Sequence, residues 1–323
     1  MNLAPSAEQA AFGEALHDLL SAAAVPEAAE SWAAGDHGPG RLLWSRLAEV
    51  GVTGLAIPLL SGGLGADTPD LIIAAEELGH HALPGPVAES LAAVPTLLAS
   101  WEDPDGWLPE LAAGRALATL AAPPWLPFGA DADAAGLVLL ASHDAVGVAV
   151  PGDVHSSVDP TRRLFEVSVS GPLTPCPAVG RALDLGALVC AAQLLGAGRA
   201  LLEAAVAHAR TRVQFGGPIG RFQAVQHRLA DVAVGLEFAR PLLYAAAVTL
   251  TARDVSAAKV ACSGAACRAA RAALQVHGAI GYTQEHGLGR WLTKVRALSL
   301  SWGTPGEHRA RVMAELKKGA AWN

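Results

Sequence analysis

The chain has 323 residues, 52% of them hydrophobic and only 16% charged, which is enough apolar material to bury a large core shared by two or three subdomains. Its net charge of -7 at pH 7 excludes a general nucleic-acid or anionic-membrane surface, so any phosphate must be met by locally placed donors. Cys176, Cys190, Cys262 and Cys267 form neither a CxxC pair nor a metal-ligand spacing, which points to reduced core thiols in a cytoplasmic protein.

The N-terminus carries no basic stretch ahead of an apolar segment. No uninterrupted apolar run approaches the ~18 residues of a membrane span, so neither export nor membrane insertion is expected. Ser6-Ala-Glu-Gln9 has the form of a capping box and opens a helix to about residue 24. A short helix is expected over 42–50, a glycine- and proline-broken loop over 57–65, and a helix over 70–80 with Glu76 and Glu77 on its polar side. From about residue 115 to 180 the texture changes to short β-prone runs at 136–142, 145–150 and 164–170, the last alternating as a strand with one wet face does. Beyond Leu183 come long alanine- and leucine-rich helices, roughly 184–210, 221–250, 254–276, 288–297 and 305–318, whose small side chains permit close helix packing.

Two motifs stand out in the helical half. Arg212-Val-Gln-Phe-Gly-Gly-Pro-Ile-Gly-Arg-Phe-Gln223 places a guanidinium, amides and phenyl rings around a glycine turn, a set suited to diphosphate and adenosine contacts. Gln275-Val-His-Gly-Ala-Ile-Gly-Tyr282 ends a helix at Gly278, where a ligand can approach the backbone. His227, nearby, reads as a surface or core histidine. Together with the order of helices, strands and helices, these motifs resemble the acyl-CoA dehydrogenase family over nearly the whole chain. The segment Asp159-Pro-Thr-Arg-Arg-Leu164 is similar to one in actinobacterial members, including those acting on steroid thioesters.

The resemblance implies a mainly α fold with a small middle β domain: an N-terminal helical domain (1–115), a shortened β domain (116–182) and a C-terminal four-helix bundle (183–323) with FAD-binding and oligomerisation motifs. It assigns Arg212, Gln214, Phe215, Phe222, Gln223, Gln275 and Gly278 to the ADP half of a FAD held across a subunit boundary. Thr304, in Gly303-Thr304-Pro305-Gly306, is either a contact to the chain's own FAD or a plain helix cap. Ala279 departs from the family's second glycine.

The decisive departure concerns the proton-abstracting carboxylate. The family's base position is occupied by Trp302, whose indole N–H has no lone pair to take a proton, and the alternative base position is Gly186. Asp184 and Glu307 are nearby carboxylates with weak claims, Asp184 reading as a helix cap. The expectation is therefore a base-less subunit of a heteromeric, α2β2 FAD-dependent acyl-CoA dehydrogenase, with a homologous partner supplying the carboxylate. Its substrate would be an acyl-CoA thioester, a steroid side-chain thioester among the options, with electron-transfer flavoprotein one candidate partner and the electron acceptor left open. Two alternatives stay open: a self-sufficient flavin monooxygenase or oxidase on the same fold, and a flavin-free pseudoenzyme scaffold.

Overall fold

The computed structural model describes residues 4–101, 103, 105–283 and 286–319. Six helices come first: α1 (Ala7–Ser21), α2 (Val25–Ala33), α3 (Gly38–Glu49), α4 (Thr68–His80), α5 (Val94–Ser100) and α6 (Trp107–Ala112). The capping box forms as expected, Gln9 N–H donating to Ser6 Oγ at 3.1 Å and Ser6 N–H to Gln9 Oε1 at 3.0 Å. Proline in the first turn opens α2, α3, α4 and α5, where its missing N–H costs nothing.

One helix lies outside the expected elements and one expectation needs correcting. Helix α2 occupies a stretch for which the sequence predicts no element; its buried face, Val25, Ala28, Ala29 and Trp32, closes the core under α3. Glu76 and Glu77 are not on a polar face but almost fully buried. Helix α4 lies along α7 (Val179–Thr211), where Gly79 and Gly196 let the two backbones touch and Arg199 of α7 donates to both carboxylates at 2.8 Å. Burial that would expel an unpaired carboxylate is tolerated because the half-buried Arg199 guanidinium reaches in to both.

The middle sheet holds β1 (Ala118–Ala121), β2 (Gly129–Ala130), β3 (Leu137–Ser142), β4 (Ala145–His155), β5 (Leu164–Val169) and β6 (Thr174–Pro175). Its order is β1-β3-β4-β5-β2, with β6 on β4; β1 and β3 run parallel and the other pairs antiparallel. The helical half contains α7, a small hairpin of β7 (Val213–Gln214) and β8 (Gly217–Pro218), then α8 (Gln223–Thr249), α9 (Ala252–His277), α10 (Gly289–Leu300) and α11 (Pro305–Gly319). Helix α9 packs on α7, α8 and α11, with alanines and serines along the contact. One continuous apolar core runs from the N-terminal helices through β1 and β3 to α9, and all four cysteines are free thiols.

The 159–164 segment ties the three layers together. Thr161 donates from N and Oγ1 to Asp159 Oδ1 at 3.0 and 2.8 Å. Lys294 of α10 sits 3.4 Å from Asp159 Oδ2 and donates to the Leu83 carbonyl at 3.2 Å and Thr161 Oγ1 at 3.1 Å. Next to it, Asp131 Oδ1 accepts from Trp32 Nε1 at 3.3 Å and from the Arg163 N–H at 3.0 Å, and burial pushes its carboxyl up to about 7. A Lys294→Met substitution leaves Asp159 buried without its cation. Chemical denaturation is expected to show a loss of roughly 3–5 kcal/mol.

Candidate functional site

The Arg212 motif forms a tight hairpin directly after α7. Phe215 and Gly216 take φ of +53° and +82°, so both central residues of the two-residue turn are left-handed, as a primed hairpin turn demands. A glycine accepts that at no cost; a phenylalanine does not, and Arg221 compensates by donating to the Phe215 carbonyl and, at 3.1 Å, to the Gly216 carbonyl. The result holds Phe215 outward, 83% exposed, edge-on to Phe222 at 6.0 Å. Among the described residues, the side chains of Arg212, Gln214 and Gln223 make no hydrogen bond or ion pair within the chain. They are outward-facing donors with unspent capacity.

Gln275 and Gly278 meet in a cleft of about 370 Å³ at the end of α9, together with Arg228, Arg271, Leu274 and Tyr282. Gly278, at φ +63°, ends the helix. Arg228 and Arg271 also line the neighbouring groove of about 450 Å³ with Arg268 and His227, so this end of the bundle is locally basic in an acidic protein. The hairpin and the cleft share no lining residue. The ends of α7 and α9 nevertheless meet, His208 stacking on His277 at 4.3 Å. Sequence reasoning missed Arg228 and Arg271; their signal was the i, i+3 recurrence of arginine in Arg268-Ala-Ala-Arg271 and its facing partner on α8. His227 is exposed on α8 and touches only the groove.

At the other end, Trp302 is almost wholly buried with φ +59°, and its ring lies against Gly186, where any Cβ would overlap the indole. His308 Nε2–H donates to the Trp302 carbonyl at 2.8 Å, while its Nδ1 accepts from Ser256 Oγ at 3.0 Å. Burial, helped by Lys259 and Arg311, pulls the His308 imidazole down to about 4. Behind the indole lies Glu89, fully buried, which sequence reasoning did not single out. The nearest guanidinium nitrogen of Arg162 is 3.9 Å from it, and burial raises its pKa. Enclosed by Trp302, it has no open route to a substrate.

A cleft of about 420 Å³ opens between the sheet and α10, walled by Trp125, Phe128, Ser156, Ser157, Arg162, Arg296 and Ser301 among others. Its charged walls are both arginines, so it contains no base. Asp184 is bound elsewhere: α7 begins at Val179, six residues earlier than a capping role requires, and Asp184 instead pairs with Arg311, whose Nη2 lies 3.1 Å from Oδ2. Glu307 is spent as well. It accepts from the Thr304 N–H at 2.6 Å, and the Glu307 N–H donates to Thr304 Oγ1 at 3.3 Å. Thr304 therefore caps α11 through a complete capping box.

Two family profiles match the chain: the acyl-CoA dehydrogenase N-terminal domain over residues 6–115 and the C-terminal domain over 177–317. The chain belongs to the acyl-CoA dehydrogenase family. It is 32% identical over 319 residues to acyl-CoA dehydrogenase IpdE2 of Mycobacterium tuberculosis, covering 97% of this chain and 99% of that one. Its fold superposes on the ChsE4-ChsE5 complex of Mycobacterium tuberculosis with a TM-score of 0.85 at 22% identity, over 99% of this chain and 100% of that chain. The Tcur3481-Tcur3483 steroid ACAD gives a TM-score of 0.85 at 21% identity, over 97% and 99%.

Members of the family are FAD flavoproteins that oxidise acyl-CoA thioesters. The free donors of Arg212, Gln214, Gln223 and Gln275 fit the nucleotide half of FAD, and the basic cleft fits its diphosphate. The reacting end fits less well, since among the described residues no carboxylate lines the cleft beside Trp302.

Two outcomes follow from the packing. Gly186→Ala overfills the contact with Trp302, and the midpoint of thermal unfolding should fall by the equivalent of about 1–3 kcal/mol. Because the His308 pKa is lower in the folded chain than in the unfolded one, its contribution is present above pH 6.5 and is lost as pH falls toward 4. Between pH 7 and pH 5 it amounts to about 2 kcal/mol, and His308→Asn should flatten that part of the stability profile.

Proposed function

We propose that this chain is the base-less subunit of a heteromeric FAD-dependent acyl-CoA dehydrogenase, in an α2β2 assembly with a homologous chain that supplies the catalytic carboxylate. The carrying observation is the division of its polar groups: every carboxylate near the usual reacting end is paired, capping or enclosed, while the donors of the nucleotide motifs face outward uncommitted.

Desaturating a thioester at Cα–Cβ requires a base within hydrogen-bond reach of the α-proton. Bound FAD supplies the hydride acceptor. In this chain Arg212 and the Arg228 and Arg271 pair neutralise the diphosphate, Gln214, Gln223 and Gln275 orient ribose and adenine, and Phe215 offers a ring face. Thr304, occupied as a cap, has no assigned part. The exposed apolar residues Val234, Phe238 and Leu242, at i, i+4 and i+8 along α8, support a partner subunit, since a lone soluble chain gains nothing by displaying them. The complex and the steroid ACAD among its structural neighbours support an unlike partner and a steroid-type thioester.

Co-expression with a base-bearing dehydrogenase chain, followed by measuring FAD per complex, tests the reading. One FAD per unlike pair is expected, with Arg212→Ala and Gln275→Ala each weakening FAD retention roughly tenfold or more, the worth of a charge-assisted or well-placed hydrogen bond. A full flavin complement on this polypeptide purified alone would sink the proposal in favour of a self-sufficient flavoprotein. Unchanged FAD content in both variants would favour a scaffold that does not touch flavin.

A further inference from the structure

Helices α1 and α4 bring four metal-ligating side chains together far from the nucleotide motifs. Glu77, His80 and His81 recur at i, i+3 and i+4 at the end of α4, so they share one face, and His17 meets them from α1. One donor atom from each of the four lies within 4.8 Å of the other three. The three imidazoles form a triangle with ring centroids 5.0, 4.8 and 4.9 Å apart.

Hydrogen bonding alone leaves this cluster badly served. His17 Nδ1 lies 3.0 Å from Glu77 Oε2 and 3.3 Å from His81 Nε2, so a single ring nitrogen faces two neighbours at once. Donors on a tetrahedral ion with bonds of about 2.0–2.1 Å stand about 3.3 Å apart, the spacing of these two pairs, and the whole set, within 4.8 Å, needs only a small contraction to reach it. His80 gives an independent indication. It is only 8% exposed; its Nε2 is bonded to Glu203 Oε2 at 2.8 Å, and its Nδ1 is buried with no hydrogen-bond partner. An imidazole that donates one N–H to a carboxylate and keeps the other nitrogen's lone pair free is the arrangement that orients metal-bound histidines.

The surroundings hold these ligands still. Arg199 grips Glu77 Oε1 and Glu76 Oε1 at 2.8 Å each, leaving Glu77 Oε2 for the cluster, and Arg240 lies 3.2 Å from Glu76. The Trp291 indole donates to the His80 carbonyl at 2.8 Å. Arg199 and Arg240 offset Glu76 and Glu77, and Glu203 adds a further negative charge; Arg290 is the facing cation, stacked over Trp291 at 4.1 Å. A cavity of about 490 Å³, bounded by the α1–α2 connection, His80, His81, Arg290 and Trp291, gives an ion a route in.

We propose that His17, Glu77, His80 and His81 bind one divalent transition-metal ion of the Zn²⁺ class, a structural clamp fastening α1 to α4. Three nitrogens and one carboxylate oxygen suit zinc, and four protein ligands leave no open position for catalysis. The clamp stands apart from the flavin reading and is tested separately.

The full-length chain, stripped with chelator, is titrated with ZnCl2 by calorimetry, its bound metal is counted after desalting, and CoCl2 is used as a spectroscopic probe. The wild type should bind zinc stoichiometrically, gain thermal stability, and give visible Co²⁺ bands of tetrahedral intensity. His17→Ala, a change at a half-exposed position of α1, and His81→Ala should each remove one equivalent and the cobalt bands. Glu203→Gln, which touches only the orienting bond, should weaken affinity by roughly tenfold or more. His208→Ala, in the separate trio with His277 and His286, should leave the cobalt bands at wild-type strength. Circular dichroism checks that each variant is folded. Absence of stoichiometric binding by the wild type would overturn the proposal, as would full binding by folded His17→Ala and His81→Ala, or loss of the signal in His208→Ala instead.

Discussion

The contact between Trp302 and Gly186 constrains everything at the reacting end. The two sequence positions at which a family member places its base are, in this fold, one place: the indole of one lies on the bare backbone of the other. A side chain of any size at residue 186 collides with the ring, so the large residue and the glycine depend on each other. The indole stays because its carbonyl is tied to a neutral, buried His308 that is itself held by Ser256, which fixes the left-handed backbone at residue 302. The indole fills this space, and the neighbouring carboxylates of Glu89, Asp184 and Glu307 are each absorbed by enclosure, an ion pair or a cap.

The remaining polar groups sort by direction. Carboxylates are matched to cations between elements far apart in the chain: Asp159 with Lys294 and Glu76 and Glu77 with Arg199 join the helical bundle to what precedes it, and Asp184 with Arg311 joins two bundle helices. Breaking such a pair strands a buried charge, so the pairs enforce the docking of helices, sheet and bundle whatever their net contribution to stability. Outside, around the hairpin and the end of α9, the exposed side chains of Arg212, Gln214, Gln223 and Gln275 make no hydrogen bond or ion pair among the described residues. That polarity, closed at one end and open at the other, matches a chain that grips a cofactor tail for a companion.

Much of this was legible in the sequence. Capping at Ser6, the three main strand runs and the long alanine-rich helices follow from local chemistry and period, and the hairpin motif is recognisable by its glycines. Helix α2 escaped because nine residues carry too few turns for periodicity to register. Glu76 and Glu77 were misplaced because a carboxylate looks solvent-facing unless its partner is known, and Arg199 lies more than a hundred residues away. The same separation hid Glu89 behind Trp302 and kept Asp184 looking like a cap, when α7 in fact starts a turn and a half earlier.

By itself the sequence determined the long helices and the three main strand runs, which motif could hold a nucleotide, and that an indole and a glycine stand at the two expected base positions, since these depend on residue type and local spacing. Only the tertiary structure decided which charges are matched, that residues 186 and 302 form a single contact, and that His17 closes a cluster with Glu77, His80 and His81. Those facts rest on distances between segments far apart in the chain, and such distances are set by packing rather than by any local pattern.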